Sequence, residues 1–241
     1  MQQEIQQESL LSLIERKQCD RQSDIKQISG SVAVFNTESV FHYFRNSDFR
    51  DYISECNHIF VDGVALVLVG RFLGYRLSRF HGPDLLEEME KSGLLAGAAV
   101  IGGSTASSIL CKHGVIANYY DLPFESDVKK LVNVFTEKNS ITKLEPRLFI
   151  SLGLPKQELF AKELINAGLN SEILLVPIGA ATDFRAGIKK RSARGWQKLG
   201  LEWLPRLVRE PRMLFRLFLS LKGLSLLVRQ HIRSTLNFKE L

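Results

Sequence analysis

The stretch GLPKQE, residues 153–158, follows the apolar run RLFI and carries three long polar side chains into what reads as the first turn of a helix. Pro155 suits that place, because its missing N–H falls among donors that the first turn leaves without helical partners anyway. Lys156, Gln157 and Glu158 then stand beside open backbone N–H groups. A cation, an amide and the positive end of a helix dipole gather where an anion would bind. The same residues also fit a capped helix with solvated side chains, and both readings stand at this level. Four further apolar runs end in similar residues: Asn36 after VAVF, Asp62-Gly63 after HIFV, Gly102-Gly103 after AAVI, and Gly179 to Asp183 after LLVPI. One glycine at a strand end is an ordinary turn. Five such ends on one edge imply a cleft.

Those ends require elements to position them. SVAVFN, HIFVDG, AAVIGG, RLFISLG and EILLVPIGAATDF read as strands with their turns. Between them, helical patterns run over SLLSLIERK, residues 39–56, ALVLVGRFLG, GPDLLEEMEKSG, STASSILCKHG (behind a Ser/Thr cap) and KQELFAKELINAG. Strands that alternate with helices predict parallel βαβ units and an α/β fold. No internal repeat or low-complexity segment interrupts this order.

The net charge of +6 is unevenly placed. From Arg185 to Leu241 there are fourteen Lys or Arg against three Asp or Glu, and the preceding part is mildly acidic. Such a basic end points to a polyanion, an anionic membrane surface or phosphates. Within it, Arg206, Arg209, Arg212 and Arg216 recur every three or four residues and can share one side of a helix, although Pro205 and Pro211 break the run. After Pro211, Leu214, Leu217, Leu221, Leu224 and Val228 form an apolar stripe, with Arg212, Arg216, Lys222, Arg229 and Arg233 mostly on the other side. This is the pattern of an interfacial amphipathic helix; a helix packed on the body with a solvated basic face fits it too. Gly223 weakens a single continuous helix. Aromatic residues do not interleave with the basic ones as a nucleic-acid stacking platform requires, so no nucleic-acid partner is expected.

The 241 residues suit one large domain, or one domain with an appendage. Cys19, Cys56 and Cys111 share no metal or redox spacing, so free thiols in a reducing compartment are expected. The polar, acidic MQQEIQQESLL is not expected to be a signal peptide. No stretch reaches the ~18 uncharged apolar residues of a membrane-spanning helix.

Six ordered motifs together resemble the WecG/TagA/CpsF glycosyltransferases: VDGVALV (61–67), RFHGPDL (79–85), VIGG (100–103), GLPKQE (153–158), IGAATDFRAG (178–187) and KRSARGWQKLGLEWLPRLVREPR (190–212). The resemblance runs from about Val32 to Leu219. It implies a Rossmann-like core of mainly parallel sheet flanked by helices over 1–194, and a basic helical appendage over 195–241 that contacts the membrane and closes the active site. It implies an inverting, metal-independent transferase that needs no cofactor and acts in bacterial surface or exopolysaccharide synthesis. The partners implied are a UDP-sugar donor, a polyprenyl-diphosphate-linked saccharide acceptor, an anionic membrane surface at the cytoplasmic face of the inner or plasma membrane, and a possible second copy of the chain. Known members transfer an N-acetylmannosamine-type sugar to lipid-linked N-acetylglucosamine.

Carried over by motif, Asp62 is the implied general base, which deprotonates the acceptor hydroxyl during attack. An Asp that caps the next helix is the other reading of that residue. Gln157 beside Lys156 is implied to bind sugar or diphosphate. Asp183 is implied to contact the nucleoside or order its loop. Arg79 and Asp84 belong to the R-x-x-G-x-D-L motif, and Asn36, Thr37, Gly102 and Gly103 stand at matching strand ends. The sequence contains no Asp-x-Asp, so cationic side chains and helix N-termini must neutralise the departing UDP. Arg206, Arg212 and Arg216 are implied to supply that charge, because a guanidinium fork fits phosphate oxygens.

Three positions depart from the family pattern. Val34 stands where the family has a threonine, Ile178-Gly179-Ala180-Ala181 replaces Gly-Val-Gly-Gly, and Met213 replaces the second arginine of Glu-Pro-Arg-Arg. They bear on sugar identity more than on reaction class. A non-catalytic adaptor of the same fold, and a nucleotide-binding oxidoreductase, are the alternatives; against the latter, VIGGSTAS lacks the Gly-x-Gly-x-x-Gly spacing.

Overall fold

The computed structural model describes residues 8–19, 25–193, 195–196, 204–205, 207 and 212–237. Strand β1 (Val32–Phe35) pairs in parallel with β2 (His58–Val61). Strand β3 (Ala99–Ile101) lies between β4 (Asn118–Tyr120) and β5 (Arg147–Ile150), and β5 pairs with β6 (Leu174–Pro177), all in parallel. A parallel bridge between Ser31 and Leu175, with Leu175 N–H donating to Gly30 O at 2.9 Å, brings β1 beside β6. The order across the molecule is therefore β4-β3-β5-β6-β1-β2, and every carboxyl end faces the same edge.

Alternation along the strands sends successive side chains to opposite faces. Phe35, Ile59, Val61, Ile101 and Ile150 join one buried cluster. Val32, Phe60, Val100, Phe149 and Val176 join the other. Helices α1 (Leu10–Lys17), α2 (Thr37–Arg45), α3 (Ser47–Glu55), α4 (Val64–Phe72), α7 (Val128–Lys138) and α8 (Lys156–Asn166) contribute to the first. Helices α5 (Gly82–Lys91), α6 (Ser104–Lys112) and the short α9 (Ala181–Arg185) contribute to the second. Burial of both faces explains why these strands read as continuous apolar runs. The α/β fold with a parallel sheet flanked by helices is as expected.

Four local expectations change. The helix expected over 39–56 is two helices, because Asn46 takes an extended conformation and accepts from Phe49 N–H at 2.9 Å as the cap of α3. Helix α6 is capped not by a Ser or Thr but by Gly103 in the left-handed conformation, with Ser104 already inside the helix. Residues 181–185 form α9 rather than a turn. Strand β4 and helix α7 occupy 118–138, where no element was assigned.

The C-terminal segment is one continuous helix, α10 (Arg212–Asn237). Gly223 does not interrupt it but lets it dock. A Cβ built there would lie 2.6 Å from Thr37 O and 2.8 Å from Phe41 N, so α10 crosses α2 with backbone nearly touching backbone. Leu219 and Leu227, one turn to either side, are buried, and Leu227 belongs to the main core. Gly223→Ala is expected to destabilise the fold by about 1–3 kcal/mol through overpacking, even though alanine favours a free helix. Urea unfolding monitored by circular dichroism measures this; a stabilised variant would contradict the close crossing.

Candidate active site

A cavity of about 860 Å³ opens over the carboxyl ends of β5, β6, β1 and β2. Its wall carries Val34 and Asn36 from the end of β1, Glu38 and His42 from α2, and Asp62 and Gly63 from the end of β2. Arg79, His81, Gly82 and Pro83 come from the approach to α5, and Leu152 to Pro155 with Gln157 from the start of α8. Ile178 to Ala181, Phe184, Arg191 and Ser192 follow β6, and Phe215, Arg216 and Leu219 come from α10.

Asp62 is fixed at its backbone, where its N–H donates to Phe35 O at 2.8 Å. The next residue, Gly63, has φ of +100° and caps α4 without any side-chain bond. Asp62 therefore does not cap α4. Its carboxylate turns to the neighbouring segment instead: Oδ1 lies 3.3 Å from His81 Nδ1, and Oδ2 accepts a long bond of 3.5 Å from Gly82 N–H. Gly82 opens α5, so the carboxylate sits at the positive end of that helix. Val34, at the position where the family pattern has threonine, packs beside the same group; a Cβ on Gly82 would lie 3.6 Å from both Val34 Cγ1 and Asp62 Oδ2.

The second cavity carboxylate is differently held. Asn36 caps α2, its Oδ1 accepting from Glu38 N–H at 2.9 Å and Ser39 N–H at 3.0 Å. This places Glu38 in the first turn of α2, only 6% exposed. Arg216 Nε donates to Glu38 Oε2 at 2.7 Å, and His42 Nε2 lies 4.0 Å from Oε1. Burial holds the His42 imidazole below its ordinary pKa, so it favours the neutral form. Because the cap uses Asn36 Oδ1, the amide N–H₂ is what Asn36 offers a ligand.

GLPKQE begins α8 as expected, with Pro155 at the cap position and a cis peptide between Leu154 and Pro155. Its three polar side chains part company. Lys156 Nζ donates to the Glu125 carbonyl and does not line the cavity. Gln157 lines it, 6% exposed, and donates from Nε2 to Glu158 Oε1 at 2.8 Å. Glu158 lies behind Gln157 at 1% exposure. Gln157 Oε1 and Glu158 Oε2 are buried and have no hydrogen-bond partner within the protein. Gln157 thus presents an unsatisfied acceptor at the cavity wall, which a donor on a ligand would complete.

Of the residues expected to bind substrate, Asn36, Asp62, Arg79, Gln157 and Arg216 are brought together here. Thr37, Asp84, Gly102, Gly103, Lys156 and Asp183 do not line the cavity. Gly102 and Gly103 follow β3, which β5 separates from β6. They admit the chain after β5 instead: a Cβ on Gly102 would meet Leu152 Cδ2 at 2.8 Å, and one on Gly103 would meet Ser151 Oγ at 2.5 Å. Asp84 accepts from Arg191 Nη1 at 2.9 Å and so anchors an arginine that does line the cavity. Asp183 pairs with Lys189 at 2.7 Å, and its carbonyl accepts from the N–H groups of Ile188 and Lys189, which shapes the turn leading to Arg191. Arg206 lies outside the described residues, as does the side chain of Arg212. Glu38, His42, His81, Arg191 and Phe215 also belong to the cavity, and each lies one to five residues from an expected position or in an expected motif. Among the described residues no three His, Cys, Asp or Glu side chains gather as a metal site requires.

A model of the glycosyl transferase WecG/TagA/CpsF family matches residues 4–237, nearly the whole chain. The chain belongs to this family. A glycosyltransferase of cell-surface polysaccharide synthesis is what the family comprises, and sugar donor and acceptor are its substrates. The cavity fits that class, having cationic, carboxylate and amide side chains over strand ends where an α/β sheet binds its ligands.

Burial pushes the Glu158 carboxyl up to about 8, against the hydrogen bond from Gln157, and nearby Glu38 adds repulsion. The folded chain thus keeps a proton that the unfolded chain releases above about pH 4.5. The stability this contributes is complete below pH 4.5 and falls as the pH rises to about 8. Glu158→Gln keeps the shape of the protonated acid and removes the loss. Its stability advantage over wild type is expected to grow with pH, by at most ~1.4 kcal/mol per unit. Guanidinium unfolding at pH 6 and pH 8 checks it, and a pH-independent difference would contradict it.

Proposed function

We propose that the protein is an inverting, metal-independent transferase. It moves a hexosyl or N-acetylhexosaminyl group from a UDP-sugar to a saccharide carried on polyprenyl diphosphate, in bacterial surface or exopolysaccharide synthesis. The observation that carries this reading is the contrast between the two cavity carboxylates. Glu38 is bound to a guanidinium, whereas Asp62 stands at the cavity wall between His81 and the start of α5. Asp62 is thus the carboxylate placed to meet an acceptor hydroxyl.

In the proposed reaction, Asp62 takes the acceptor hydroxyl proton as that oxygen attacks the anomeric carbon. The bond from this carbon to the diphosphate oxygen breaks on the opposite face, and its electron pair leaves with UDP. Arg79, Arg191 and Arg216 line the same cavity and offset the developing charge; Arg206 and Arg212 are assigned the same role. A guanidinium has five N–H donors, so the bond to Glu38 does not exhaust Arg216. Gln157 receives a sugar hydroxyl at Oε1.

The same reading makes 1–194 the catalytic core and 195–241 the appendage that meets an anionic membrane at its cytoplasmic face. No described helix is long and apolar enough to cross a membrane. Support for peripheral contact comes from the outer face of α10, where Leu214, Phe218, Leu221, Ile232 and Leu236 are exposed beside Lys222, Arg229 and Arg233.

The test is release of UDP from a panel of UDP-sugars, with a lipid-diphosphate-linked N-acetylglucosamine acceptor in detergent. Acceptor-dependent release by wild type is expected, falling about 10²- to 10⁴-fold in Asp62→Asn. Arg216→Ala is expected to lose activity as well, and to lower stability by about 1–2 kcal/mol because Glu38 keeps its buried charge without this cation. A folded chain with no acceptor-dependent turnover of any donor would favour the adaptor reading.

A further inference from the structure

The cavity holds two histidine–carboxylate pairs, and their surroundings differ. His42 and Glu38 are 4.0 Å apart on one helix, and Arg216 already engages that carboxylate. His81 and Asp62 come from different segments, 3.3 Å apart, and both side chains are about one-fifth exposed. The chain holds His81 in place from both sides. Phe80 is buried, packs edge-on against Phe60 with centroids 5.1 Å apart, and donates its N–H to Val61 O at 2.8 Å. Arg79 bridges to Val61 in parallel with β2. On the other side, His81 O accepts from Leu85 N–H at 2.9 Å in the first turn of α5, and Pro83 stiffens that turn. The segment thus extends the sheet edge next to β2 and then turns into a helix, and His81 is the residue at the turn.

We propose that His81 is a positioning residue for the transfer reaction: through Nδ1 it orients the Asp62 carboxylate toward the acceptor hydroxyl, and its protonation state sets how good a base Asp62 is. The proposal rests on the assignment of Asp62 made above. In the neutral form, the imidazole, with Nδ1 3.3 Å from Oδ1, limits where the carboxylate can turn and leaves its lone pairs for the acceptor proton. In the protonated form, a full positive charge beside the carboxylate stabilises it and weakens it as a base. The other charged or titratable groups around this cavity are Glu38 and His42 on α2, Arg79 before His81, Arg191 after α9 and Arg216 on α10, with Asp84 on α5 bound to Arg191. The arginines keep their charge throughout the working range. His42 pairs with Glu38, and Glu158 lies behind Gln157, so His81 is the titrating group that stands beside Asp62.

Two measurements on the full chain test this. The first needs no substrate. Histidine-labelled protein, with five histidines in all, is titrated by NMR, and His81 is assigned from the signal lost in His81→Gln. In Asp62→Asn the midpoint of His81 is expected to fall by about one pH unit; an unmoved midpoint overturns the coupling. The second uses UDP-N-acetylmannosamine and the other donors of the panel. In wild type the acid limb of kcat/KM is expected in the histidine range, near ~6.5. His81→Phe keeps bulk but no donor, and is expected to lose kcat on the order of tenfold with KM for the donor unchanged. His81→Gln keeps a polar donor, so it is expected to recover much of kcat while its acid limb moves to lower pH, because no imidazole titrates beside Asp62. A His81→Phe enzyme with wild-type kcat and acid limb overturns the proposal while leaving Asp62 in its role, provided Asp62→Asn is inactive. Full activity in Asp62→Asn overturns both.

Discussion

Everything at the cavity depends on four parallel strands that end on one edge in the order β5-β6-β1-β2. Parallel pairing sends each connection back along the sheet, so every loop that follows a strand emerges on that edge. Asn36, Asp62, Gln157 and the Gly179 turn are far apart in the chain and are gathered by this single constraint. The bridge from Ser31 to Leu175 joins the two halves. Without it, β1 and β2 would carry their carboxylates away from the loops of β5 and β6.

A second constraint closes the cavity from above. Helix α10 approaches α2 closely enough at Gly223 that no side chain fits between them, and Arg216 reaches Glu38 two turns earlier. Helix α2 begins at the Asn36 cap, so the same helix that receives α10 also bears two cavity residues, Glu38 and His42. A guanidinium bound to a nearly buried carboxylate is strongly oriented. That orientation delivers the C-terminal helix to the edge of the site, with Phe215 and Leu219 forming wall.

Much of this was legible in the residues. The alternation of apolar runs and helical patterns specified an α/β fold with a parallel sheet, because strands buried on both faces stay apolar throughout. Strand β4 carries little signal, because its three residues NYY are only half-buried at a sheet edge. Helix α7 beside it does carry its signal, with Asp127 as cap and Leu131, Val132 and Phe135 at helical spacing. The break at Asn46 was written as Asn-Ser-Asp, a capping sequence inside an otherwise periodic run. Strand order was not legible: local pattern says that Gly102-Gly103 ends a strand, not that β5 lies between that strand and β6. Nor was the direction of Lys156, which turns to the Glu125 carbonyl while its neighbour Gln157 turns to the cavity. Gly223 read as a helix breaker because its reason lies on another helix, in the backbone of Thr37 and Phe41.

The central claim is that sugar transfer occurs over these strand ends with Asp62 on the face opposite the leaving diphosphate. A crystal structure of the full chain with a bound UDP-sugar tests it most directly. The account predicts the anomeric carbon between the Asp62 carboxylate and the diphosphate, with arginines of the cavity wall against the phosphate oxygens and Gln157 within hydrogen-bond distance of the sugar. A diphosphate seated against Asp62, or a nucleotide bound over Gly102-Gly103 on the far side of β5, would contradict it.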